Sequence, residues 1–372
     1  MYGMEEEHYV INPREESGIF FVRENEFQKF YQDLLATFDS GRSPRYVVFG
    51  FFGVGKTHFL RHLEHQIAER AHPLYVATPA SHRRTSFVEF YASIISELGR
   101  SHVTELITEG VKKPAKLREL GLSEDLVYVI ENAVKAKENF LLWKLLTGVR
   151  LKSSEADRLE SVRNELSADD AAIMLNVISS LYEAKEGKPL LLLIDEFENT
   201  GHIGGDAKIT FTEAVRSLVD EGSRVGVVFA LTARALSEMP SPVAEEPVRR
   251  RIGLTNYLEF KSYNEAELRS FIMDVIRYRR EPRFDVKKAI ASIKSKENVT
   301  EDTYPFTFEA IQEIVNSVLL FAEQQKIEAV RPKEALDVMD KALRISIKAN
   351  APFISKDVIT SVREDVVQAL SL

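Results

Sequence analysis

The feature that most constrains this chain is a glycine-rich loop between two apolar segments. The loop comprises Gly50-Phe51-Phe52-Gly53-Val54-Gly55-Lys56-Thr57 and fits the pattern G-x-x-x-x-G-K-[ST]. A short apolar run before it is typical of a buried strand, and the residues from Lys56 onward have helical periodicity. Between a strand and a helix, glycines let backbone amides converge on phosphate oxygens, and the helix N-terminus adds partial positive charge. A plain glycine turn is the alternative, but it would leave the lysine and the threonine unexplained.

The loop therefore predicts a bound nucleoside phosphate. Lys56 is expected to hold the β- and γ-phosphates, and the Thr57 hydroxyl is expected to bind Mg²⁺. The residues expected to contact the nucleotide are Gly50, Gly53, Val54, Gly55, Lys56, Thr57 and His58.

A second candidate site follows the most apolar strand of the sequence. The run Leu190–Ile194 leads directly into Asp195 and Glu196, and carboxylates at the end of a buried strand are costly without a counter-ion. Mg²⁺ is the counter-ion that suits them. Asp195 is expected to hold the hydration shell of the metal, and Glu196 is expected to orient and deprotonate the attacking water. Taken alone, the pair also fits an ordinary strand end that is exposed to solvent.

The overall composition is that of an ordinary globular protein that is mildly acidic. The 372 residues include 49 Lys and Arg against 57 Asp and Glu, a net charge of −8, and no cysteine. The lack of cysteine excludes disulfides, thiolate metal sites and cysteine nucleophiles. No apolar run is long enough to span a membrane, and the first twenty residues lack the pattern of a signal peptide, so a cytoplasmic protein without membrane contact is expected.

Strand and helix patterns alternate over the first two thirds of the chain. Strands are predicted at residues 46–49, 74–78, 190–194, 225–232 and 254–260, and their separation by helices favours a parallel sheet covered on both faces. Residues 101–168 have a helical pattern and are interpreted as an insertion. A capping signal at Asn264 and Glu267 begins an all-helical remainder. The predicted domains are a nucleotide-binding α/β domain over 1–262, a helical lid domain over 263–350 and an extension over 351–372.

Together these motifs resemble those of the AAA+ ATPases. The resemblance covers most of the chain, and its elements are Phe21–Glu26, the phosphate loop, the strand with Asp195 and Glu196, a strand ending in Thr232, an arginine-rich segment and the helical lid. It implies an α/β P-loop NTPase fold with a parallel five-stranded sheet in the order 5-1-4-3-2, helices on both faces, a helical insertion and an α-helical lid domain.

Two narrower resemblances stand within that superfamily. The chain looks most similar to the branch that holds origin-recognition-type initiators, transposition-regulator ATPases and STAND-like signalling ATPases. The stretch Gly50–Leu63, with Trp143 and the run LLLIDEFE, is also similar to ATP-binding proteins of BREX-like phage-defence systems.

The resemblance implies roles for further residues. Thr232 matches the polar sensor at the end of the fourth strand, although a strand-end hydroxyl bonded to its own backbone is the alternative. Arg249, Arg250 and Arg251 stand where the family keeps an arginine finger that reaches a neighbouring subunit's nucleotide, and Arg250 or Arg251 is favoured. A solvated basic turn or a DNA-facing patch is the alternative. The sensor of the lid is expected at Arg331 or Lys333, or at neither.

Two further patterns carry alternative functions. His58, His62 and His65 have helical spacing that would let one face present three imidazoles to a metal, but polar cover of the helix flank is the preferred interpretation. Residues 277–296 carry an excess of six positive charges, which suits either phosphate binding or a solvated helix face, and the solvated face is preferred. The initiators that the chain resembles usually carry a winged-helix DNA reader after the lid, and residues 351–372 are not expected to form one.

The function predicted from these observations is that of an oligomeric ATPase switch. ATP and Mg²⁺ are the expected cofactors, hydrolysis is expected to be slow unless a partner stimulates it, and the ATP state is expected to favour a ring or filament. The switch would act on DNA or a protein effector in replication, transposition or phage defence. The alternative is a signalling ATPase or scaffold that turns over slowly and binds no DNA.

Overall fold

A computed structural model describes residues 2–4, 8–19, 22–79, 86–161, 163–220, 222–293, 298–324, 326 and 329–370. The chain divides into two compact units. The sheet unit comprises Gln28–Phe49 and Leu60–Glu259, and the lid unit comprises Met1–Phe27, Gly50–Phe59 and Phe260–Leu372. Among the residues of the predicted segments, Phe21, Lys294 and Lys296 lie outside the described residues.

Five strands of the described chain form one parallel sheet. They are β1 (Arg45–Gly50), β2 (His72–Ala77), β3 (Leu190–Asp195), β4 (Gly226–Thr232) and β5 (Tyr257–Phe260). Their order is β2-β3-β4-β1-β5, which is the predicted 5-1-4-3-2 read from the other edge. This order confirms the predicted fold class.

Strand β3, which lies between β2 and β4, shows that the sheet is part of the core. All six of its residues are buried, as expected for a parallel strand that has helices on both faces. β3 pairs with β2 so that Asp195 lies opposite Ala77, and it pairs with β4 so that Ile194 lies opposite Phe229. The carboxyl ends of β2, β3 and β4 therefore meet at one edge of the sheet.

The helices up to the sheet's last strand alternate with the strands as the pattern predicts. Their bounds are α1 (Glu24–Asp39), α2 (Lys56–Ile67), α3 (Phe87–Leu98), α4 (Arg100–Val111), α5 (Pro114–Glu119), α6 (Glu124–Lys135), α7 (Asn139–Leu146), α8 (Ser153–Arg158), α9 (Ala168–Glu186), α10 (Gly205–Leu218) and α11 (Glu246–Ile252). Ser86 and Ser167 form capping boxes at the starts of α3 and α9. The helices α4 to α8 confirm the helical character of the predicted insertion.

Two local features differ from the sequence prediction. The arginine-rich segment before β5 contains the helix α11, for which no helix was predicted. Its Pro247 lies in the first turn, where proline is well tolerated. β5 is shorter than predicted, because residues 254–256 form a 3₁₀ turn and only Tyr257–Phe260 is extended.

The lid unit is built from helices and an N-terminal segment. Its helices are α12 (Glu265–Tyr278), α13 (Val286–Ala291), α14 (Phe308–Gln324), α15 (Pro332–Lys348) and α16 (Lys356–Leu370). The predicted capping box at Asn264 and Glu267 is present. The N-terminal segment contributes Tyr9, which is fully buried with its ring 5.6 Å from that of Phe306. Its amide also donates to Asp340 Oδ1 at 3.2 Å.

In the described part of the chain, no helix is both long enough and apolar enough to span a bilayer.

Candidate nucleotide site

The phosphate loop follows β1 and leads into α2, as its motif predicts. Gly53 has a φ of 80°, which favours glycine, and a Cβ there would lie 2.7 Å from Arg331 Cδ. A Cβ at Gly50 would lie 2.3 Å from the carbonyl oxygen of Phe260. Both positions therefore need glycine because other parts of the lid unit approach the loop backbone closely. Val54 is buried, whereas the Thr57 side chain is exposed.

Lys56 places a positive charge inside this loop. Its side chain is buried, and Nζ donates to the carbonyl oxygens of Gly50 at 3.0 Å and Phe51 at 2.8 Å. Burial of an ammonium group is costly unless it is compensated, and a phosphate oxygen would be an anionic partner for it. The loop thus fits the phosphates of a nucleotide, with Lys56 and the amides of the loop as the groups that hold them.

The two candidate sensors of the lid have different surroundings. The Arg331 stem lies against Gly53, as the Cβ distance above shows, and its Nε is 2.7 Å from Oε1 of Glu334. Burial of Glu334 raises the pKa of its carboxyl, and the Arg331 charge opposes that rise. Lys333 is exposed on α15. Arg331 is therefore the candidate that contacts the phosphate loop.

The histidines of α2 do not form a metal site. His62 is buried, whereas His65 is exposed, and a ring nitrogen of His58 donates to the backbone carbonyl of Ile19. Among the described residues, no cluster of three or more His, Asp or Glu side chains could hold a metal ion. The alternative of a three-histidine metal site is therefore wrong, and the preferred interpretation of polar cover applies to the exposed His65.

Asp195 is held tightly at the end of β3. Its side chain is 3% exposed, Oδ1 accepts the backbone N–H of Glu196 at 2.9 Å, and Oδ2 accepts the hydroxyl of Tyr75 at 2.7 Å. A carboxylate oriented in this way suits the ordered water shell of Mg²⁺, which is bound in proteins through few carboxylates and several waters. The donor set at this strand end thus fits the predicted metal.

Glu196 stands in a strained backbone position directly after the strand. Its φ is 54°, a left-handed conformation that costs a non-glycine residue roughly 1–2 kcal/mol. Partial burial, followed by the charges of Asp195 and Glu198, raises the pKa of its carboxyl. A glutamate with a raised pKa and an exposed side chain is suited to accept a proton from water.

Asn199 lies beside Glu196 and was not singled out from the sequence. Its Nδ2 donates to the carbonyl oxygen of Thr78 at 3.0 Å and lies 3.5 Å from Glu196 Oε2. The buried hydroxyl of Thr78 makes no hydrogen bond within the described residues. The only sequence signal was its spacing of three residues from Glu196. The 3₁₀ helix at Phe197–His202 brings residues with that spacing close together.

Thr232 occupies the last position of β4 and is partly buried. The strand order places β4 between β3 and β1. Its hydroxyl therefore belongs to the same sheet edge as Asp195, where a polar sensor would stand.

The three consecutive arginines of α11 are not equivalent. Arg251 donates through Nη1 to the Pro247 carbonyl at 2.9 Å and lies 3.3 Å from Asp220 Oδ2. Arg249 is partly buried near Tyr257 and lowers the pKa of that phenol, although burial dominates and raises it to about 12. Arg250 has 79% of its side chain exposed and pairs only with Glu246 on its own helix among the interactions described, at 2.7 Å. Arg250 is thus the arginine that is accessible to another molecule.

The basic strip after α12 is largely used inside the lid unit. Arg279 is 5% exposed and lies 2.7 Å from Glu16. The remaining paired arginines are Arg277, with Asp274 and Asp302, and Arg280, which donates to the carbonyls of Glu301 and Tyr304. Arg283, Lys287 and Lys288 are exposed, and Lys287 lies 3.7 Å from Glu301 Oε1. The sequence excess of positive charge therefore overstates the charge that is available to a phosphate backbone.

Comparison with known proteins identifies the family. The sequence profile described as the AAA ATPase domain matches residues 19–230, more than half of the chain. The chain belongs to the AAA ATPase domain family. That family implies nucleotide binding and, in general, ATP hydrolysis. No curated protein sequence matches the chain.

Among the solved structures that are similar to this chain, that of the Aeropyrum pernix ORC2 protein supports the AAA ATPase fold. The Aeropyrum pernix ORC2 protein in its ADPNP–ADP complexes has a TM-score of 0.51 at 15% identity, over 92% of this chain and 68% of that one. The Aeropyrum pernix ORC1 protein in complex with DNA has a TM-score of 0.46 at 16% identity, over 94% and 66%. The Thermotoga maritima RuvB Holliday junction branch migration motor has a TM-score of 0.41 at 13% identity, over 93% and 70%. The chain thus spans about two thirds of the length of each.

The comparisons also bear on the narrower resemblances. At the level of fold, the chain is similar to the Aeropyrum pernix ORC2 protein. The comparisons give no support to a close relationship with the BREX-like phage-defence proteins.

Proposed function

We propose that this AAA ATPase binds ATP with Mg²⁺, hydrolyses it slowly and uses the nucleotide state to control its assembly and its grip on a partner. The observation that carries the proposal is the buried Lys56 ammonium, which lies inside a glycine loop and donates to two of its carbonyls. A glycine loop before a helix N-terminus offers backbone amides to a phosphate, and Lys56 adds a full positive charge beside them.

Each residue has a distinct role in this proposal. Lys56 holds the β- and γ-phosphates, and Arg331 contacts these phosphates from the lid. The residues that shape the loop are Gly50, Gly53, Val54, Gly55 and His58. Thr57 and Asp195 hold the metal, Glu196 orients and deprotonates water, and Thr232 positions that water. Bound Mg²⁺ supplies charge neutralisation on the phosphoryl group that is transferred.

Arg250 is proposed as the residue that completes a neighbouring copy's site. It is the exposed member of the triplet, and an exposed ion pair such as that with Glu246 contributes at most about 1 kcal/mol, so that releasing the side chain costs little. An arginine supplied from another subunit stabilises the charge of the transition state. Self-association into a ring or filament in the ATP state follows from this role.

Light scattering with ATP and with ADP tests the assembly, and ATPase rates test the arginine. We expect a larger species with ATP, and we expect Arg250→Ala to lower kcat by about 10³-fold. Arg150→Ala is the matched control, because Arg150 is also exposed and lies near one glutamate. A mixture of Arg250→Ala with Lys56→Ala chains should regain activity, since the second variant still donates its arginine. Parental kcat in Arg250→Ala would refute the role.

The partner of the switch is proposed to be DNA or a protein effector, as in replication, transposition or phage defence. The exposed Arg283, Lys287 and Lys288 are the part of the basic strip that suits DNA. The internal pairing of Arg277, Arg279 and Arg280 favours the second candidate, a signalling ATPase or scaffold without DNA binding.

ATPase rates with and without duplex DNA, over a range of salt concentrations, separate these candidates. A DNA partner predicts stimulation and binding that weaken with salt, since each phosphate contact releases counterions. Replacing the three exposed basic residues by glutamine should then reduce the salt slope. Rates that duplex DNA leaves unchanged would favour the protein effector.

A further inference from the structure

Tyr75 on β2 reaches the carboxylate at the end of β3. Ala77 lies directly opposite Asp195 in the parallel pairing, and Tyr75 lies on the same face of its strand as Ala77 because alternate residues share a face. The small Ala77 side chain leaves room for the longer tyrosine to extend toward the strand end. The result is the 2.7 Å hydrogen bond from the Tyr75 hydroxyl to Asp195 Oδ2.

The Tyr75 ring is itself held in place. The guanidinium of Arg61 lies 3.3 Å from the centroid of the ring, within the range of a cation–π contact. Arg61 is in turn fixed by a 2.8 Å ion pair with Glu64 on the same helix. A short chain of contacts therefore runs from α2 through Tyr75 to Asp195, all within the sheet unit.

Two hydrogen bonds fix the direction of the Asp195 carboxylate. Oδ1 accepts the backbone N–H of Glu196, and Oδ2 accepts the hydroxyl of Tyr75. The carboxylate is thus held both from the following backbone and from the neighbouring strand.

We propose that Tyr75 is a positioning residue that orients the Asp195 carboxylate toward the hydrated Mg²⁺ of the bound nucleotide, with Arg61 fixing the tyrosine ring. The inference rests on the proposed function, because it assigns Asp195 to the metal. Groups that hydrogen-bond to metal-binding side chains typically contribute 10–100-fold to metal affinity or activity.

The test compares Tyr75→Phe with Tyr46→Phe in the full-length chain. Tyr46 donates its hydroxyl to Asp33 at 2.5 Å, so its replacement also removes a phenol–carboxylate hydrogen bond, but at a different place. The measurement is the affinity for a fluorescent ATP analogue, once with Mg²⁺ and once with EDTA. The factor by which Mg²⁺ strengthens binding should be about tenfold smaller in Tyr75→Phe than in the parent, whereas the affinity in EDTA should be the same. Tyr46→Phe should match the parent under both conditions.

Hydrolysis supplies a second readout. The Mg²⁺ concentration for half-maximal activity should rise about tenfold in Tyr75→Phe, while kcat at saturating Mg²⁺ changes little. If Tyr75→Phe does not fold, Arg61→Met is the variant that tests the proposal, because it removes the contact with the ring and keeps the Tyr75 hydroxyl. It should raise the Mg²⁺ concentration for half-maximal activity by a smaller factor.

The outcomes separate the two proposals. A parent protein whose ATP affinity is the same with Mg²⁺ and with EDTA, and which hydrolyses nothing, would overturn the proposed function. A parent that depends on Mg²⁺, together with a Tyr75→Phe variant of identical dependence, would overturn the role of Tyr75 alone.

Discussion

The phosphate loop and the segment after β3 use different means to build a site. The loop relies on glycines at 50 and 53 and on one buried lysine, and its geometry comes from the backbone. The segment Asp195–Asn199 relies on carboxylates, on a strained Glu196 and on side-chain hydrogen bonds from Tyr75 and Asn199. Backbone groups are present in any variant that folds, whereas the carboxylate segment depends on particular side chains.

This difference implies that the loop contributes mainly to nucleotide binding and the carboxylate segment mainly to hydrolysis. Backbone amides and a lysine contact phosphates in both the ground state and the transition state, so they contribute mainly to affinity. A glutamate that removes a proton from water acts only as the reaction proceeds, so it contributes mainly to kcat. Variants in the two regions should therefore separate binding from hydrolysis.

The largest expected effect is that of Glu196→Gln. Loss of the base should lower kcat about 10³-fold, while the Kd for ATP should stay within about threefold because the amide keeps the shape of the side chain. Single-turnover hydrolysis and equilibrium binding measure the two quantities, and Glu198→Gln is the matched control. Hydrolysis at the parental rate would show that Glu196 is not the base.

The parent and this variant should also differ in their dependence on pH. Glu196 must be ionised to accept a proton, and its pKa is raised, so the parental rate should fall as pH drops through that raised value. The sign follows because the protonated form is inactive as a base. The residual rate of Glu196→Gln should lack this decline.

Lys56→Ala should have the next largest effect, on binding. Removal of the buried ammonium takes away a charged partner of the phosphates, at a cost of about 3 kcal/mol, which corresponds to about a 10²-fold weaker Kd for ATP. Lys188→Ala is the control, because Lys188 also donates to a backbone carbonyl, that of Ala68 at 2.8 Å, on the exposed surface. If Lys56→Ala bound ATP normally and lost only kcat, the division between the two regions would be wrong.

Local patterns in the sequence were enough to predict the phosphate loop and the carboxylates, whereas the strand order was implied by the resemblance to the AAA+ ATPases. The loop motif is contiguous, and the apolar run of β3 can be read without knowledge of its neighbours. Partners that are distant in sequence could not be predicted in this way. Arg279 pairs with Glu16, 263 positions away, and Arg251 lies near Asp220. The sequence therefore reported how much positive charge is present but not which charges are already paired.

The same limit applied to the hydrogen bonds around the carboxylates. Tyr75 belongs to a different strand from Asp195, and only the parallel register brings the two together. Tyr75 looked like an ordinary strand residue, because aromatic residues are common in strands. Asn199 was closer in sequence, but its contacts depend on the 3₁₀ turn that follows Glu196.

The smallest of the expected effects concerns the two lid candidates and would sharpen the account of the phosphate loop. Arg331→Met keeps a stem against Gly53 and removes the guanidinium, whereas Lys333→Met changes an exposed side chain of the same helix. One charge-assisted hydrogen bond is worth about 1.5 kcal/mol or more, so Arg331→Met should weaken ATP binding about tenfold, with a smaller effect on ADP. Lys333→Met should leave both affinities unchanged. Equal effects of the two variants would show that the lid acts through its overall charge, and the contact between Arg331 and the loop would then be only structural.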